Sequence, residues 1–350
     1  MRPAAAVVGL LCALAVLVWS PGGGPVGRVG HDPRLATPAT DVLRHAGGTL
    51  WWVDRNCRVE LLRLRSGARV GAGGHCHVWP APSGQLALAS RDASQPPSPP
   101  GNLQLLAQGL HSAGLIGVRA DAVQPGVAWA RSSLLAAVCV RRGGQEAVVQ
   151  MKFSAPAGIA APEQHVGDPL TGRCQPAFTL GSQFATSDGR HVFLDGRRLP
   201  LDHQLMRLAG GGPLDVAVTA LAASPAGLVL SVTRRGPDSD GQALLVTVRS
   251  DNQVIRVDRP PRGLIDAIGV SPDGAWLSVE YAISGDVRLI PMYAANRPAA
   301  VPAVTRGLAF SPDARYIAVA LPGELRIIEM GTGSSTSITD VDPVSVSWTR

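Results

Sequence analysis

Ser271-Pro272-Asp273-Gly274, followed by Ala275-Trp276-Leu277-Ser278-Val279-Glu280, is the stretch whose reading decides the fold. Serine first, proline second and glycine fourth suit a type I β-turn. Proline pre-sets φ, the serine oxygen bonds back to the backbone, and glycine relieves crowding at the exit. One apolar segment, 265–270, leads into the turn and another leaves it, so the unit reads strand, tight turn, strand. It recurs at Ser224-Pro225-Ala226-Gly227 and at Ser311-Pro312-Asp313-Ala314. Worn copies stand at Ala81-Pro82-Ser83-Gly84 and Thr186-Ser187-Asp188-Gly189.

The spacing of these turns carries the architecture. Aligned on the second turn position, the units fall at Pro82, Arg131, Ser187, Pro225, Pro272, Pro312 and Arg350, in steps of 49, 56, 38, 47, 40 and 38 residues. Several short strands per unit at such a period mark a β-propeller, whose four-stranded blades pack radially around an axis. The count predicts an all-β chain with seven blades; six is the runner-up, should the Arg131 unit be misread. Two positions before the aligned residue stand Trp129, Val270, Phe310 and Trp348, placed to pack between blades. Residues 344–350 read as the first strand of a unit that then stops, and 48–64 as a unit lacking its first strand. The two ends are expected to share one blade and close the ring, with Trp51 and Trp52 meeting Val346 and Trp348. Neighbouring residues of a strand face opposite ways, so one of Trp51 and Trp52 is expected in the core and the other exposed.

Elsewhere from residue 48 on, short β runs alternate with turns, and Asp195-Gly196 favours a two-residue type I′ hairpin. No stretch beyond the N-terminus sustains a 3.6-residue period, so no further helix is expected. The chain has 350 residues, 45% apolar, enough for a large core, and its 40 glycines and 29 prolines fit many turns. Its net charge is +6, yet Lys152 is the only lysine, a bias typical of a GC-rich genome. Basic residues do not run together with aromatics, which argues against nucleic acid as a partner.

Phe310-Ser311-Pro312-Asp313-Ala314-Arg315-Tyr316-Ile317-Ala318-Val319-Ala320 resembles the WD-like repeats of TolB-type propellers, and Ser347-Trp348-Thr349-Arg350 resembles the opening of such a unit. The resemblance covers nearly everything from Gly48 to Arg350. TolB itself carries an α/β domain ahead of its propeller, for which 31–47 is too short. Lipoprotein propellers of actinobacterial envelopes are another relation of this kind. The resemblance implies an exported bacterial cell-envelope scaffold and names no activity.

Residues 4–19 form an unbroken run of apolar and small residues behind Met1-Arg2-Pro3. As a helix it spans roughly 24 Å, a little short of a hydrocarbon core of about 30 Å. Residues 1–20 are therefore expected to be a signal anchor, with a cleaved signal peptide as the alternative. Ala13-Leu14-Ala15 would leave apolar residues beyond the cut, which favours the anchor, and Leu11 before Cys12 argues against lipidation. Residues 21–47, opening with Pro21-Gly22-Gly23-Gly24-Pro25, read as a linker and 48–350 as the propeller. Either way the bulk of the chain is expected outside the cytoplasm, membrane-anchored or secreted.

Four cysteines lie beyond the apolar run: Cys57, Cys76, Cys139 and Cys174. An even number in an exported chain suggests disulfides, for which three connectivities exist. Cys57 and Cys139 sit in or beside early strands of a unit, whereas Cys76 and Cys174 precede the next unit; this matched placement favours Cys57 with Cys76 and Cys139 with Cys174. His75 and His77 flank Cys76, but no second pair has ligand spacing, so no metal is expected. Asp238-Ser239-Asp240-Gly241 lacks the glutamate of a calcium loop and reads as a hairpin tip. Asp188, Asp273 and Asp313 occupy equivalent turn sites and are explained by turn geometry.

No nucleophile elbow, zinc-protease helix or phosphate loop is present in the sequence. The expected function is a non-catalytic extracytoplasmic propeller that binds a protein or envelope component through one rim of turns, without a cofactor. The alternative is a propeller enzyme of lactonase, glycosidase or quinone-dependent dehydrogenase type with an axial active site.

Overall fold

The computed structural model describes residues 30–31, 42, 45–90, 102–107, 109–118, 120–153, 162–167, 170, 174–210, 216–234, 242–293 and 305–350. The apolar run 4–19, most of the expected linker and Asp238-Ser239-Asp240-Gly241 lie outside these residues.

The described strands form seven sheets. In chain order, β1 (Gly30–His31), β2 (Thr49–Asp54), β3 (Arg58–Arg63) and β4 (Ala68–Gly73) belong to blade 1. Blade 2 holds β5 (His77–Pro80), β6 (Leu86–Ser90), β7 (Asn102–Ala107) and β8 (Ser112–Gly117). Blade 3 holds β9 (Ala122–Trp129), β10 (Leu135–Arg142), β11 (Gln145–Lys152) and β12 (Glu163–Val166). Blade 4 is built of shorter strands: β13 (Ala177–Phe178), β14 (Phe184–Ser187), β15 (Val192–Leu194) and β16 (Arg197–Arg198). Blade 5 follows with β17 (Val216–Ser224), β18 (Gly227–Arg234), β19 (Ala243–Val248) and β20 (Val254–Asp258). Blade 6 shows β21 (Ile265–Val270), β22 (Trp276–Tyr281) and β23 (Val287–Pro291). Blade 7 has β24 (Gly307–Phe310), β25 (Tyr316–Leu321), β26 (Glu324–Glu329) and β27 (Ser335–Thr339), and β28 (Pro343–Thr349) then returns to blade 1. The fold is a seven-bladed all-β propeller, and the six-bladed alternative is set aside because the Arg131 unit heads blade 3.

Middle strands are buried on both faces, as in β19 and β25, where every residue is buried. The outermost strand β27 alternates exposed and buried residues instead. This division follows from radial packing, in which a middle strand has a neighbouring blade on each side and an edge strand does not. Seven apolar clusters fill the seven wedges between adjacent blades.

That geometry corrects the expectation for Trp51 and Trp52. Their side chains do point to opposite faces, but both are buried. Trp51 packs toward blade 2 with Val78, Ala87 and Ala89; Trp52 packs toward blade 7 with Tyr316, Ala318 and Ile327. In the same sheet β28 runs antiparallel to β2, with Thr49 opposite Thr349, Leu50 opposite Trp348, and Trp52 opposite Val346. The Trp51 indole N–H donates to Thr349 Oγ1 at 3.1 Å, and that of Trp348 to the Gly47 carbonyl at 3.0 Å.

A helix, α1 (Asp202–Ala209), corrects the expectation that none exists. Its one buried residue, Leu205, joins the cluster between blades 4 and 5, together with Leu201. Eight residues with a narrow apolar stripe leave too few repeats for a 3.6 period to be read. Among the described residues no helix is long and apolar enough to cross a membrane.

Disulfides join Cys57 to Cys76 and Cys139 to Cys174. The first ties the β2–β3 turn to the segment entering blade 2, and the second ties β10 to the segment entering blade 4. Disulfides of this kind suit a chain folded in an oxidising, extracytoplasmic compartment.

Replacing Cys139 and Cys174 together by serine is expected to lower stability by about 3–4 kcal/mol, read as a lower denaturant midpoint. Trp52→Ala, which empties a fully enclosed wedge, is expected to cost about 3–5 kcal/mol in the same measurement.

Candidate functional site

The recurrent turn is a closed hydrogen-bonded device. Gly274 N–H donates to Ser271 O at 2.8 Å, closing the β-turn. The buried Ser271 hydroxyl donates to Asp273 Oδ1 at 2.6 Å and accepts Trp276 N–H at 2.9 Å, while Ala275 N–H donates to the same Asp273 oxygen at 3.0 Å. Ser311, Asp313, Tyr316 and Arg315 repeat these four roles. In five of the turns the fourth position takes a left-handed conformation: φ is 71° at Gly274 and 68° at Gly84, but also 59° at Ala314, 60° at Ser133 and 63° at Ser182, whereas Gly227 is at 139°.

Ser182 reveals a misplacement in the sequence reading. The turn between the first two strands of blade 4 is closed by Ser182 N–H donating to Thr179 O at 2.9 Å, so this blade's unit starts at Thr179. The Thr186-Ser187-Asp188-Gly189 copy lies instead between β14 and β15, on the opposite rim. Both turns use polar side chains to bind back on the backbone, and composition does not separate them. With Leu180 as the aligned residue the steps become 49 and 45 residues in place of 56 and 38.

Once this is corrected, all seven first strands end at one mouth, a hollow of about 680 Å³. Two stacked rings line it. Pro80, Trp129, Phe178, Ala223, Val270, Phe310 and Trp348, just before each turn, form an entirely apolar inner ring. Pro82, Arg131, Leu180, Pro225, Pro272, Pro312 and Arg350 form the outer ring. With Trp79, five of the chain's fifteen aromatic residues stand here, so the mouth concentrates a scarce residue type. The sequence pointed to Trp129, Val270, Phe310 and Trp348 but missed Pro80 and Ala223, which stand at the same place before Pro82 and Pro225, and Phe178, whose place emerges only with the corrected alignment.

Neighbouring turns brace one another around the mouth. Ser83 N–H donates to Ser133 Oγ at 3.0 Å, Trp129 Nε1–H to Trp79 O at 2.9 Å, and Arg350 N–H to Pro82 O at 3.2 Å. Gly274 lies against Pro225, so a Cβ there would meet the proline ring at 3.0 Å. A smaller hollow of about 190 Å³ between blades 4 and 5 shares Thr179, Leu180, Ser224 and Pro225 with the mouth. Arg131 and Arg350 are exposed on blades 3 and 1, and Asp273 and Asp313 line the same mouth from blades 6 and 7.

On the opposite rim, Asp188 Oδ1 accepts the N–H groups of Arg190 and His191 at 2.8 and 2.7 Å, and its Oδ2 meets His191 Nδ1 at 2.9 Å. Burial pushes this carboxyl up, but the hydrogen bonds from His191 and Arg190 together hold it below the usual carboxylate range. His75 is buried, whereas His77 is exposed and stacked on Trp79 at 5.6 Å. Among the described residues no group of three His, Cys, Asp or Glu side chains is placed to hold a metal.

The fold is matched among solved structures. The chain is similar to the β-propeller domain of Cps50 (Swd1) from Myceliophteria thermophila, with a TM-score of 0.52, 15% identity, and 76% of this chain and 86% of that one covered. It is also similar to Kuenenia stuttgartiensis hydrazine synthase, with a TM-score of 0.50, 14% identity, and 73% and 77% covered. At such identities the likeness establishes the fold alone. No family model and no curated protein sequence matches the chain. Fold and mouth together define the class: a WD-repeat-like seven-bladed β-propeller.

Gly274→Ala, which joins a positive φ to a contact with Pro225, is expected to cost about 1–2 kcal/mol by denaturant unfolding. Ala314→Gly is expected to be neutral or slightly stabilising, because glycine relieves the left-handed strain. The depressed Asp188 carboxyl contributes stability above its unfolded value of about 4, lost as pH falls through the lower folded value. Asp188→Asn should therefore be destabilised at pH 6 and lose that part of the acid dependence, read by unfolding at pH 6 and at about pH 3.

Proposed function

We propose that this chain is a non-catalytic, extracytoplasmic propeller of a bacterial cell envelope that holds a protein or another envelope component in its mouth. The observation that carries this reading is the convergence of seven turns on one apolar ring edged by proline, leucine and arginine. Rigid loops on a braced ring are a common place for recognition. The carboxylates of Asp273 and Asp313 each have an oxygen tied to a serine hydroxyl and a turn N–H, which supports a structural role for them.

The remaining parts of the reading are consistent with this placement. Residues 1–20 act as a signal anchor, 21–47 as a linker whose Gly30–His31 pairs along β4 at the outer edge of blade 1, and 48–350 as a TolB-like propeller, with secretion after cleavage as the alternative. The seam of β2 and β28, with Trp51, Trp52, Val346 and Trp348, is the lock that closes the ring, and the turns from Ser224, Ser271 and Ser311 set its mouth.

A second reading, a propeller enzyme of lactonase, glycosidase or quinone-dependent dehydrogenase type with an axial site, is favoured by one observation: Asp273 and Asp313 share a hollow of small-molecule size.

One experiment separates the two readings. The full chain is used for pull-down from cross-linked envelopes beside Leu180→Asp, a change at an exposed outer-ring position. The expected result is a captured component whose recovery falls about tenfold in the variant, with unfolding stability unchanged within about 0.5 kcal/mol. Equal recovery by both proteins overturns the mouth as the contact. Turnover of a lactone or glycoside that Asp273→Asn abolishes would put the enzyme reading first.

A further inference from the structure

We propose that the tip of blade 6 on the rim away from the mouth is a docking surface for an anionic lipid membrane. Strand β21 runs toward the mouth and ends at Val270, which lines it. Leu264, just ahead of that strand, therefore lies on the far rim, and so does the β22–β23 turn that carries Ile283. The two segments are fastened together. Ala282 N–H donates to Leu264 O at 2.9 Å, and the Tyr281 hydroxyl donates to Pro261 O at 3.1 Å. A Cβ on Gly263 would come within 2.6 Å of the Tyr281 ring, so the loop lies flat against that side chain.

Held in this way, Leu264 is 45% exposed and Ile283 is 92% exposed, more than any other large apolar side chain among the described residues. Arg259, Arg262 and Arg288 are exposed around them. The Arg288 guanidinium lies over the Tyr281 ring at 5.5 Å. Asp266, Glu280 and Asp286 of the same strands and turns are partly buried, whereas the three arginines are exposed. Asp258 is engaged by Arg256.

An apolar point with a cationic collar matches the layering of an anionic bilayer surface. The aliphatic side chains reach the acyl boundary while the guanidinium groups stay at the depth of the phosphates. Each arginine held near such a surface strengthens binding roughly fivefold, so the tip alone binds weakly and reversibly. That suits a chain brought to a membrane by another segment. With this rim against the lipid, the mouth faces away and stays open. The residues involved are separate from those of the mouth, so the inference stands or falls independently of it.

The test uses the full chain with Cys12→Ser, an environment-sensitive fluorophore at Ile283→Cys, and a control fluorophore at Leu180→Cys on the mouth rim. Both proteins carry the same N-terminal segment, so any difference between them reports the tip. With vesicles of phosphatidylglycerol and phosphatidylcholine, emission at 283 is expected to rise about threefold and shift to the blue, with no change at 180. Pure phosphatidylcholine should give little response, and Arg259→Glu with Arg262→Glu should weaken the response about tenfold or more. Equal responses at 283 and 180, or a response at 283 indifferent to lipid charge, overturns the proposal. So does a response that appears only when an envelope protein is added, which would make the tip a protein contact.

Discussion

Each sheet of this molecule is apolar on both faces, and a sheet with two apolar faces must be covered twice. In a ring, every blade covers its two neighbours and is covered by them, so the requirement is met without a separate layer of helices. The seven apolar clusters, one per wedge, are the result. Blade 4 tests the rule, because its strands are short and β16 has only two residues. There α1 contributes Leu205 to the wedge that longer strands fill elsewhere.

The wedge between blades 7 and 1 joins parts of the chain that are remote in sequence. Tyr316 and Trp348 stack with centroids 6.3 Å apart, and Trp52 shares their cluster. Near the same wedge on the far rim, Asp342 accepts from Arg306 and lies 3.1 Å from Arg55, tying the approach to β28 to both neighbouring blades. The hydrogen bond from Arg306 holds the Asp342 carboxyl below the usual carboxylate range. That group is well exposed, and solvent limits what the pair contributes. Apolar contact in the wedge and the backbone ladder between β2 and β28 carry more of the stability.

The two rims differ in character because strand direction assigns them different residues. One rim receives the turns leaving the first strands, rich in proline and aromatic residues and braced against each other. The other receives connections between blades, the β2–β3 turn that Cys57 ties to Cys76, and the arginine-bordered tip at Ile283. Two rims of different character therefore arise from the same repeat, read from its two ends.

Much of this was legible from residues alone. Ser271-Pro272-Asp273-Gly274 and its copies declare a turn because proline, serine and glycine act on their own backbone, and such local effects need no partner. Seven units, the sharing of one sheet by 343–349 with 49–54, and the cysteine pairing followed from spacing. The Asp195-Gly196 hairpin is present with φ of 49° and 76°. What packing decided lay beyond reach: that Trp51 and Trp52 are both enclosed, that Thr179 and not Thr186 opens the fourth unit, and that α1 exists. The mouth belongs to the same class, since its rings join residues from seven separate segments and only the packing of the blades gives them one axis. Local chemistry sets the turns; long-range burial decides which side chains share a surface.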